Sequence, residues 1–311
     1  MEKRKIGTLD VSVAGLGCNN FGWRIDADAT AAVVNAAIDS GINFFDTADV
    51  YGGGQSEEYL GRALKGRREK VLIATKFGMK MADGKEGAQS AYIRQAASDS
   101  LRRLGTDHID LYQLHRPDPS TPISDTLGAL SELVKAGKVR EIGCSNFSAQ
   151  QLREAAQVSL HTGAPRFVSV QNNYSLLHRE PEAEVLPECQ ALGIAFLPYF
   201  PLANGLLTGK YRKGQPFPKS SRAEDGFGPK VFTDENLELA EQLRSFAESR
   251  GHTLLELSMA WLASKSVISS VIAGAKTPEQ VRANASAVSW RLTDAEVAAV
   301  NAMLEPVRQN G

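Results

Sequence analysis

Short apolar runs alternate along the chain with longer segments in which apolar residues recur every three or four positions. Runs of the first kind predict buried strands, and the longer period predicts helices with one buried face. One such helix is predicted for Ala29–Ser40, where Val34, Ala37 and Ile38 share a face and Gly41 acts as a stop signal. The predicted strands are 13–17, 43–46, 71–76, 109–115, 139–144, 167–171, 194–198 and 270–273.

Eight strands that alternate with helices, without a linker-like segment, predict one (β/α)8 TIM barrel over residues 1–311. Lys3–Val13 is predicted to form a hairpin around Gly7 ahead of the barrel. Residues 203–232, after strand seven, are rich in Gly, Pro, Lys and Ser and predict a long functional loop. An open doubly wound sheet fits less well, because ionisable residues end nearly every strand rather than one switch point.

Composition and charge limit the classes of partner that we expect the chain to bind. Its 35 basic and 36 acidic side chains nearly balance, which gives no indication of a nucleic-acid or anionic-membrane partner. No apolar stretch of about 20 residues is available to span a membrane, and the polar start, Met1–Lys5, is unlike a secretory signal. Cys18, Cys144 and Cys189 lack disulfide-like or metal-like spacing, so we expect reduced thiols, a cytoplasmic protein and no metal site. No motif specifies an oligomeric state.

Three successive predicted strands end on or near ionisable side chains. Asp46 ends the second strand, and Tyr51 follows it in the next loop. Lys76 ends the third strand, and His115 ends the fourth. The strand ends of a parallel barrel share one cup at its carboxyl face, so we expect these four side chains to be neighbours.

Together the four side chains can form a proton donor, Tyr51, and the groups that adjust its pKa and orient the substrate. Tyrosine has an ordinary pKa of ~10, and a protonated Lys76 beside Tyr51 is expected to lower that pKa by roughly 1–3 units. Asp46 would keep Lys76 charged, and a neutral His115 would donate a hydrogen bond to a substrate oxygen. This set suits a carbonyl that becomes an alkoxide. Each residue alone also has an ordinary interpretation, because an Asp–Lys pair is commonly structural and a lone Tyr or His commonly packs.

Several motifs occur in a fixed order from about Lys5 to Asn301, and together they resemble the aldo-keto reductase superfamily. They are Asn43–Gly52 (Asn-Phe-Phe-Asp-Thr-Ala-Asp-Val-Tyr-Gly), Ala74–Gly78, Asp110–His115, Gly143–Phe147, Pro201–Lys210 and Ile272–Gln280. The resemblance implies a reductase that transfers hydride from NADPH to a small-molecule carbonyl substrate, an aldehyde or a ketone. It also implies Tyr51 as the general acid, Lys76 and Asp46 as its tuning pair, and His115 as the residue that orients the carbonyl.

The resemblance further implies a set of residues that bind NADP(H). The nicotinamide would be held by Ser145, Asn146, Gln171 and the ring of Tyr199. The pyrophosphate and adenosine would be held by Leu202, Gly205, Lys210, Gly274, Lys276, Gln280 and Asn284, with Arg222 approaching from the loop. Because Lys276 precedes a predicted helix start, it offers charge for a 2′-phosphate, and NADP(H) is expected over NAD(H). Gln280 has a second interpretation as the end of a Thr277–Gln280 capping box.

Trp23, Phe77 and Arg116 flank strand ends and are predicted to line the substrate pocket. An internal ion pair between Arg116 and Asp118 explains that arginine equally well.

Other interpretations of the motifs are weaker or remain as alternatives. Gly15–Gly17 lacks the third glycine of a Rossmann fingerprint, and Gly205–Lys210 lacks the spacing of a P-loop. One alternative function on this fold is a regulatory subunit that binds NADPH without catalysis. Another is an aldolase with Lys76 as Schiff-base nucleophile, which conflicts with an Asp46 that keeps Lys76 charged.

Overall fold

The computed structural model of the chain describes residues 1–218, 223 and 228–308. Within them, eight parallel strands form a nearly closed (β/α)8 barrel, as the alternation of strands and helices predicts. Arg222, one of the predicted cofactor residues, lies outside the described residues.

The barrel is preceded by an antiparallel hairpin of β1 (Lys3–Ile6) and β2 (Leu9–Ser12). The barrel strands are β3 (Ala14–Gly17), β4 (Phe44–Asp46), β5 (Leu72–Phe77), β6 (Ile109–Leu114), β7 (Val139–Ser145), β8 (Ser169–Asn173), β9 (Ala195–Tyr199) and β10 (Val271–Gly274). Neighbouring strands pair in the order β10-β3-β4-β5-β6-β7-β8-β9. The two outer strands approach each other where Phe196 of β9 bridges to Ile268, just before β10.

Helices cover the outside of the barrel, and capping residues set where several of them begin. The described helices are α1 (Ala27–Asp39), α2 (Gln55–Ala63), α3 (Ser90–Leu104), α4 (Ile123–Lys135), α5 (Ala149–Thr162), α6 (Val185–Leu192), α7 (Gly228–Val231), α8 (Asp234–Glu248), α9 (Leu254–Ala263), α10 (Pro278–Ala287) and α11 (Asp294–Arg308). Ser148 and Thr253 form capping boxes with Gln151 and Glu256, which satisfy the free N–H groups at the starts of α5 and α9. Among these described helices, none is long and apolar enough to cross a bilayer.

In two segments the observed secondary structure differs from the secondary structure that the sequence predicts. Where periodicity predicts one helix from Pro181 to Leu192, the chain forms a 3-10 turn at Glu180–Glu182 and then α6. The break occurs because Glu184 leaves helical geometry, with φ of -137°. The predicted long loop after strand seven begins with a 3-10 turn at Ala203–Thr208 that follows β9.

The hairpin closes the amino end of the barrel. Its residues Ile6, Leu9 and Val11 pack in one buried cluster with barrel residues such as Phe44 and Leu111. A second, larger apolar cluster lies between the sheet and the helices. The amino end is therefore filled with apolar side chains, and polar chemistry is left to the carboxyl end.

A pair of helix glycines tests the packing of the outer layer. A Cβ atom at Gly61 of α2 would lie 2.4 Å from the carbonyl oxygen of Leu104 in α3. We therefore expect Gly61→Ala to destabilise the protein by about 1–3 kcal/mol through overpacking. Gly128 of α4 has no such neighbour within 4 Å in the described chain, so Gly128→Ala should stabilise by about 0.5–1 kcal/mol. Urea unfolding followed by circular dichroism measures both, and equal midpoints would contradict the close approach.

Candidate active site

A cavity of about 730 Å³ opens at the carboxyl ends of the barrel strands, and this volume is typical of small-molecule sites. The predicted residues that line it are Asp46, Tyr51, His115, Arg116, Ser145, Asn146, Gln171, Tyr199, Leu202, Gly205, Lys210, Gly274, Lys276, Gln280 and Asn284. Lys76 is fully buried and is bonded to Asp46 in the cavity wall. The structure thus brings residues from distant parts of the chain into one site.

Lys76 and Asp46 form a buried ion pair. The Nζ atom of Lys76 lies 2.8 Å from Asp46 Oδ2 and 2.7 Å from the carbonyl oxygen of Thr47. Burial acts to lower the pKa of Lys76, but the Asp46 carboxylate and the nearby Tyr51 more than offset it, so the pKa is raised. Lys76 is therefore an ammonium at physiological pH.

Two amide side chains hold the second oxygen of Asp46. Gln171 Nε2 donates to Asp46 Oδ1 at 3.0 Å, and Gln113 Nε2 donates to the same atom at 3.3 Å. Gln113 is a site residue that the sequence analysis missed. The signal for it is the strand register, because Gln113 of β6 lies opposite Lys76 of β5 and faces the same way.

Tyr51 lies at the start of a 3-10 turn, Tyr51–Gly54, in the loop after β4. Its ring centroid is 5.0 Å from Lys76 Nζ and 5.8 Å from the His115 ring, which meets it edge to face. Burial raises the pKa of Tyr51, and the opposing effect of Lys76 is too small to reverse the shift. The expected lowering of this pKa is therefore wrong, because the sequence does not reveal how strongly the surrounding protein desolvates the phenol.

His115 is neutral in this site. Burial, together with the positive charges of Lys76 and Arg116, lowers the pKa of His115 to about 3. Within the described residues its Nδ1 atom has no hydrogen-bond partner, although the side chain is only 8% exposed. A buried, unpaired polar atom in a cavity wall indicates a place for a ligand group.

The predicted nicotinamide residues are connected to one another. Ser145 Oγ donates to the carbonyl oxygen of Gln171 at 2.6 Å. Asn146 Nδ2 donates to the carbonyl oxygen of His115 at 2.9 Å, and the Tyr199 hydroxyl donates to Asn146 Oδ1 at 2.9 Å. Tyr199, from the end of β9, thus reaches the end of β7 across the cavity.

Strained backbone is concentrated around the same cavity. In the described chain, the residues other than glycine with positive φ are Asn146 (61°), Phe200 (51°), Ala203 (44°) and Asn204 (56°). Asn146, Phe200 and Asn204 line the cavity. Ala203 precedes Asn204 in the segment after β9. Such conformations cost of order 1–3 kcal/mol each and persist at functional sites where the surroundings enforce them.

The cavity is also lined by two lysines and by the start of α10. Lys276 directly precedes the cap residue of α10, and Lys210 lies after β9. The Thr277–Gln280 capping box is only half formed, because Gln280 Oε1 accepts from Lys276 N at 2.8 Å rather than from Thr277 N. The Gln280 side chain therefore fixes the loop that carries Lys276.

Two residues predicted for the substrate pocket do not line the cavity. Phe77 is fully buried and packs against Tyr112, with ring centroids 4.7 Å apart. The reason is strand alternation: Lys76 points inward, so Phe77 points outward to the helices. Trp23 is 58% exposed, and its neighbour Arg24 occupies the cavity wall instead.

The loop after β3 adds site residues that the sequence analysis missed. Asn20 and Arg24 both line the cavity, and Asn20 is only 4% exposed. Asn20 Nδ2 donates to the carbonyl oxygen of Ala275 at 3.2 Å, whereas its Oδ1 has no partner among the described residues. Their position after the carboxyl end of a barrel strand was the signal available in the sequence.

A buried acidic cluster lies behind Lys76 and Tyr51. Asp49 is 1% exposed, and its backbone N–H donates to the carbonyl oxygen of Lys76 at 3.1 Å. Glu57 nearby is paired with Arg103 at 2.6 Å. Burial and the charge of Glu57 raise the pKa of Asp49 to about 7. Asp49 is therefore a buried carboxyl group that titrates near neutral pH.

Comparison with known sequences agrees with this architecture. The model of the Aldo/keto reductase family matches residues 14–305. Two relatives from Bacillus subtilis (strain 168), the aldo-keto reductase YhdN and the uncharacterized oxidoreductase YqkF, are each 36% identical over 308 residues. The matched region covers 96% of this chain in both cases, and 91% of YhdN and 95% of YqkF.

Comparison with solved structures gives the same result. The glycerol dehydrogenase AKR11B4 from Gluconobacter oxydans has a TM-score of 0.85 at 31% identity, with 100% of this chain and 97% of that chain covered. The holo form of the aldo-keto reductase AKR11C1 from Bacillus halodurans has a TM-score of 0.80 at 33% identity, with coverages of 97% and 96%. The similarity therefore extends over the whole barrel.

The raised pKa of Asp49 has a consequence for stability. The folded protein holds this proton up to a pH of about 7, whereas an unfolded aspartate releases it near ~3.9. Between these values the folded state binds more protons, so the contribution of Asp49 to stability falls as the pH rises from about 4 to about 7. We expect Asp49→Asn to lose less stability than the unmutated protein between pH 5 and pH 8.

Urea unfolding midpoints across this pH range measure the difference. Asp83→Asn is the control, because Asp83 lies exposed in a loop and should leave the pH dependence unchanged. Parallel curves for Asp49→Asn and the unmutated protein would contradict the assignment.

Proposed function

The chain belongs to the aldo/keto reductase family, whose members act on small-molecule carbonyl groups with nicotinamide cofactors, and on that premise we propose that it reduces aldehydes or ketones to alcohols with NADPH. The observation that carries the proposal is the arrangement around Tyr51. Its phenol stays protonated, adjoins the ammonium of Lys76 and the neutral ring of His115, and faces a cavity large enough for a ligand.

Features of the cavity suit a dinucleotide. Gly17 and Gly274 leave a narrow space beside Asn19 and Asn20, and a Cβ atom at Gly274 would lie 3.1 Å from Asn19 Oδ1. The unpaired Oδ1 atom of Asn20 offers an acceptor in this wall. Lys276 and the N-terminus of α10 suit phosphate groups. These residues therefore fit a nicotinamide dinucleotide.

The predicted cofactor residues keep their roles in this proposal. Ser145, Asn146, Gln171 and Tyr199 would hold the nicotinamide, and the residues from Leu202 to Asn284 named above would hold the phosphates and adenosine. When bound, the reduced nicotinamide supplies a hydride to the carbonyl carbon. The Tyr199 hydroxyl donates to Asn146 Oδ1 at 2.9 Å, which joins two of the side chains proposed to hold the nicotinamide.

Tyr51 completes the reduction by donating its proton to the carbonyl oxygen. His115, whose neutral ring lines the cavity, orients that oxygen. The phenolate left on Tyr51 is stabilised by the Lys76 ammonium, and Asp46 holds Lys76 in place. Burial keeps the proton on Tyr51 until a substrate accepts it, which is the property that a general acid requires.

The same electrostatics disfavour an aldolase. A Schiff-base lysine must be a neutral amine, which requires a lowered pKa. The pKa of Lys76 is raised instead, by its contact with the Asp46 carboxylate and despite burial.

Replacing the proton donor is the direct test. We expect Tyr51→Phe to retain NADPH binding, because the ring is preserved, and to lose roughly 10²–10⁴-fold in turnover, the usual contribution of general acid catalysis. NADPH absorbance measured over many turnovers against a panel of aldehydes, diketones and sugars gives the rates. Tyr59→Phe, on α2, is the matched control.

A milder loss in Tyr51→Phe would assign the proton donor to another residue. Oxidation of one equivalent of NADPH without further turnover in the unmutated protein would favour a non-catalytic, regulatory role.

Cofactor preference is tested at Lys276. Its position before α10 suits the 2′-phosphate that distinguishes NADPH from NADH. We expect Lys276→Ala to weaken NADPH binding roughly tenfold or more, as for the loss of a hydrogen bond to a charged group, and to change NADH binding little. Fluorescence titration gives both dissociation constants, with Lys135→Ala, exposed at the end of α4, as control. Equal affinities of the unmutated protein for NADPH and NADH would contradict the preference.

A further inference from the structure

We propose that a buried hydrogen-bonded bridge, Thr75–Glu57–Arg103, holds the turn that carries Tyr51 in the position required for proton transfer. The inference rests on the proposed reductase function, and it adds positioning residues that touch neither substrate nor cofactor. The bridge joins three elements, β5, α2 and α3. None of its three residues is among the described residues that line the cavity.

The turn Tyr51–Gly54, the catalytic turn, has little stiffness of its own. Tyr51 is followed by Gly52, Gly53 and Gly54, with φ of 58°, 66° and 99°. Glycine adopts such angles without steric cost, but it also has more alternative conformations than any other residue. The position of the phenol therefore depends on contacts from the surrounding structure.

The helix that follows the catalytic turn is fixed by tertiary contacts at its start. Gly54 is the cap residue of α2 and has no side chain to bond the free N–H groups of the first helical turn. Two fully buried side chains in that first turn, Ser56 and Glu57, make the connections instead. Ser56 Oγ donates to the carbonyl oxygen of Cys18 at 2.8 Å, and Glu57 is the centre of the bridge.

The bridge consists of two short hydrogen bonds to one carboxylate. Thr75 Oγ1 donates to Glu57 Oε1 at 2.5 Å, and Arg103 Nε donates to Glu57 Oε2 at 2.6 Å. Thr75 and Glu57 are fully buried, and the Arg103 side chain is only 11% exposed. Hydrogen bonds to an ionised group are strong, and more so where water is excluded. The carboxylate therefore links the three side chains firmly.

Both ends of the bridge adjoin the catalytic groups. Thr75 directly precedes Lys76 in β5, and strand alternation sends the Thr75 side chain outward while Lys76 points inward. At the other end, Arg103 packs on the catalytic turn, since a Cβ atom at Gly54 would lie 2.9 Å from Arg103 Cδ. The bridge therefore sets the position of the catalytic turn relative to the strand that carries the Lys76 ammonium.

A small displacement of the Tyr51 phenol is costly for proton transfer. Reacting groups must lie about 3–3.5 Å apart, and a misplacement of about 1 Å by a remote substitution can cost on the order of 100-fold in rate. The residues proposed to hold NADPH lie on other segments of the chain. A loosened catalytic turn should therefore lower kcat and leave the affinity for NADPH unchanged.

The kinetic test removes one hydrogen bond of the bridge and keeps the shape of the side chain. Thr75→Val deletes the hydroxyl, whereas Thr75→Ser retains it and is the conservative variant expected to preserve activity. For the most rapidly reduced aldehyde of the panel, we expect Thr75→Val to lower kcat roughly tenfold to a hundredfold. The dissociation constant of NADPH, from fluorescence titration, should be unchanged in both variants.

Amide hydrogen exchange followed by mass spectrometry reports on the catalytic turn without relying on activity. The N–H groups of Tyr51 and Gly53 donate to the carbonyl oxygens of Ala48 and Val50 at 3.2 and 3.1 Å. We expect Thr75→Val to speed exchange in the peptide 48–54 roughly tenfold, the size of one hydrogen bond to a charged group. Exchange in β6 should be unchanged. A uniform increase over all peptides would mean a general loss of stability and would overturn the positioning role.

Thr126→Val is the matched control. Thr126 of α4 is also buried, at 1% exposed, and its hydroxyl donates to the carbonyl oxygen of Ala88 at 3.4 Å. Its replacement removes a core hydroxyl without touching the bridge, so kcat and exchange in the peptide 48–54 should stay unchanged. Glu57→Gln is the second variant if Thr75→Val folds poorly. It removes the charge at the centre of the bridge and should produce the same two changes.

The two measurements separate this inference from the proposed function. If the unmutated protein reduces no member of the panel, the proposed function fails, and exchange in the peptide 48–54 alone decides whether the bridge holds the turn. If carbonyls are reduced but Thr75→Val and Glu57→Gln leave either kcat or this exchange unchanged, only the positioning inference fails.

Discussion

The candidate site depends on one interaction, the buried ion pair between Lys76 and Asp46. An ammonium with no exposed surface is tolerated only when its charge is compensated and its donors are satisfied. Asp46 supplies the charge, and two glutamine side chains hold the second oxygen of that carboxylate. The positive charge of Lys76 then acts on its neighbours, because it opposes the effect of burial on the pKa of Tyr51 and helps to keep His115 neutral.

The barrel makes this ion pair possible because apolar side chains fill one end of it and polar side chains lie at the other. The hairpin fills the amino end with apolar side chains, which leaves the carboxyl end for the ion pair and the cavity. Parallel strands in register then place Lys76 opposite Gln113, so that a polar layer forms across neighbouring strands. The outward-facing positions, such as Phe77 and Tyr112, pack under the helices. The chemistry of the site is thus a consequence of strand alternation at one end of the sheet.

Much of this layout could be predicted from the sequence. Periodicity identified the barrel, and the positions of Asp46, Lys76 and His115 at strand ends were sufficient to place them together. Alternation also contained the information that Phe77 faces outward once Lys76 faces inward. The direction of the Tyr51 pKa shift could not be predicted, because it depends on how many atoms from distant segments surround the phenol. Arg24 was missed for a related reason, since only the folded loop after β3 shows which of its side chains reach the cavity.

The left-handed residues Asn146, Phe200, Ala203 and Asn204 give the rim of the site a fixed shape before any ligand arrives. The energy stored in these conformations is supplied by the rest of the fold, which holds the ends of β7 and β9 in register. These conformations therefore lower the stability of the folded protein, and in return the site is already formed before a ligand binds. A ligand that enters meets walls already in position and spends little of its affinity on arranging them.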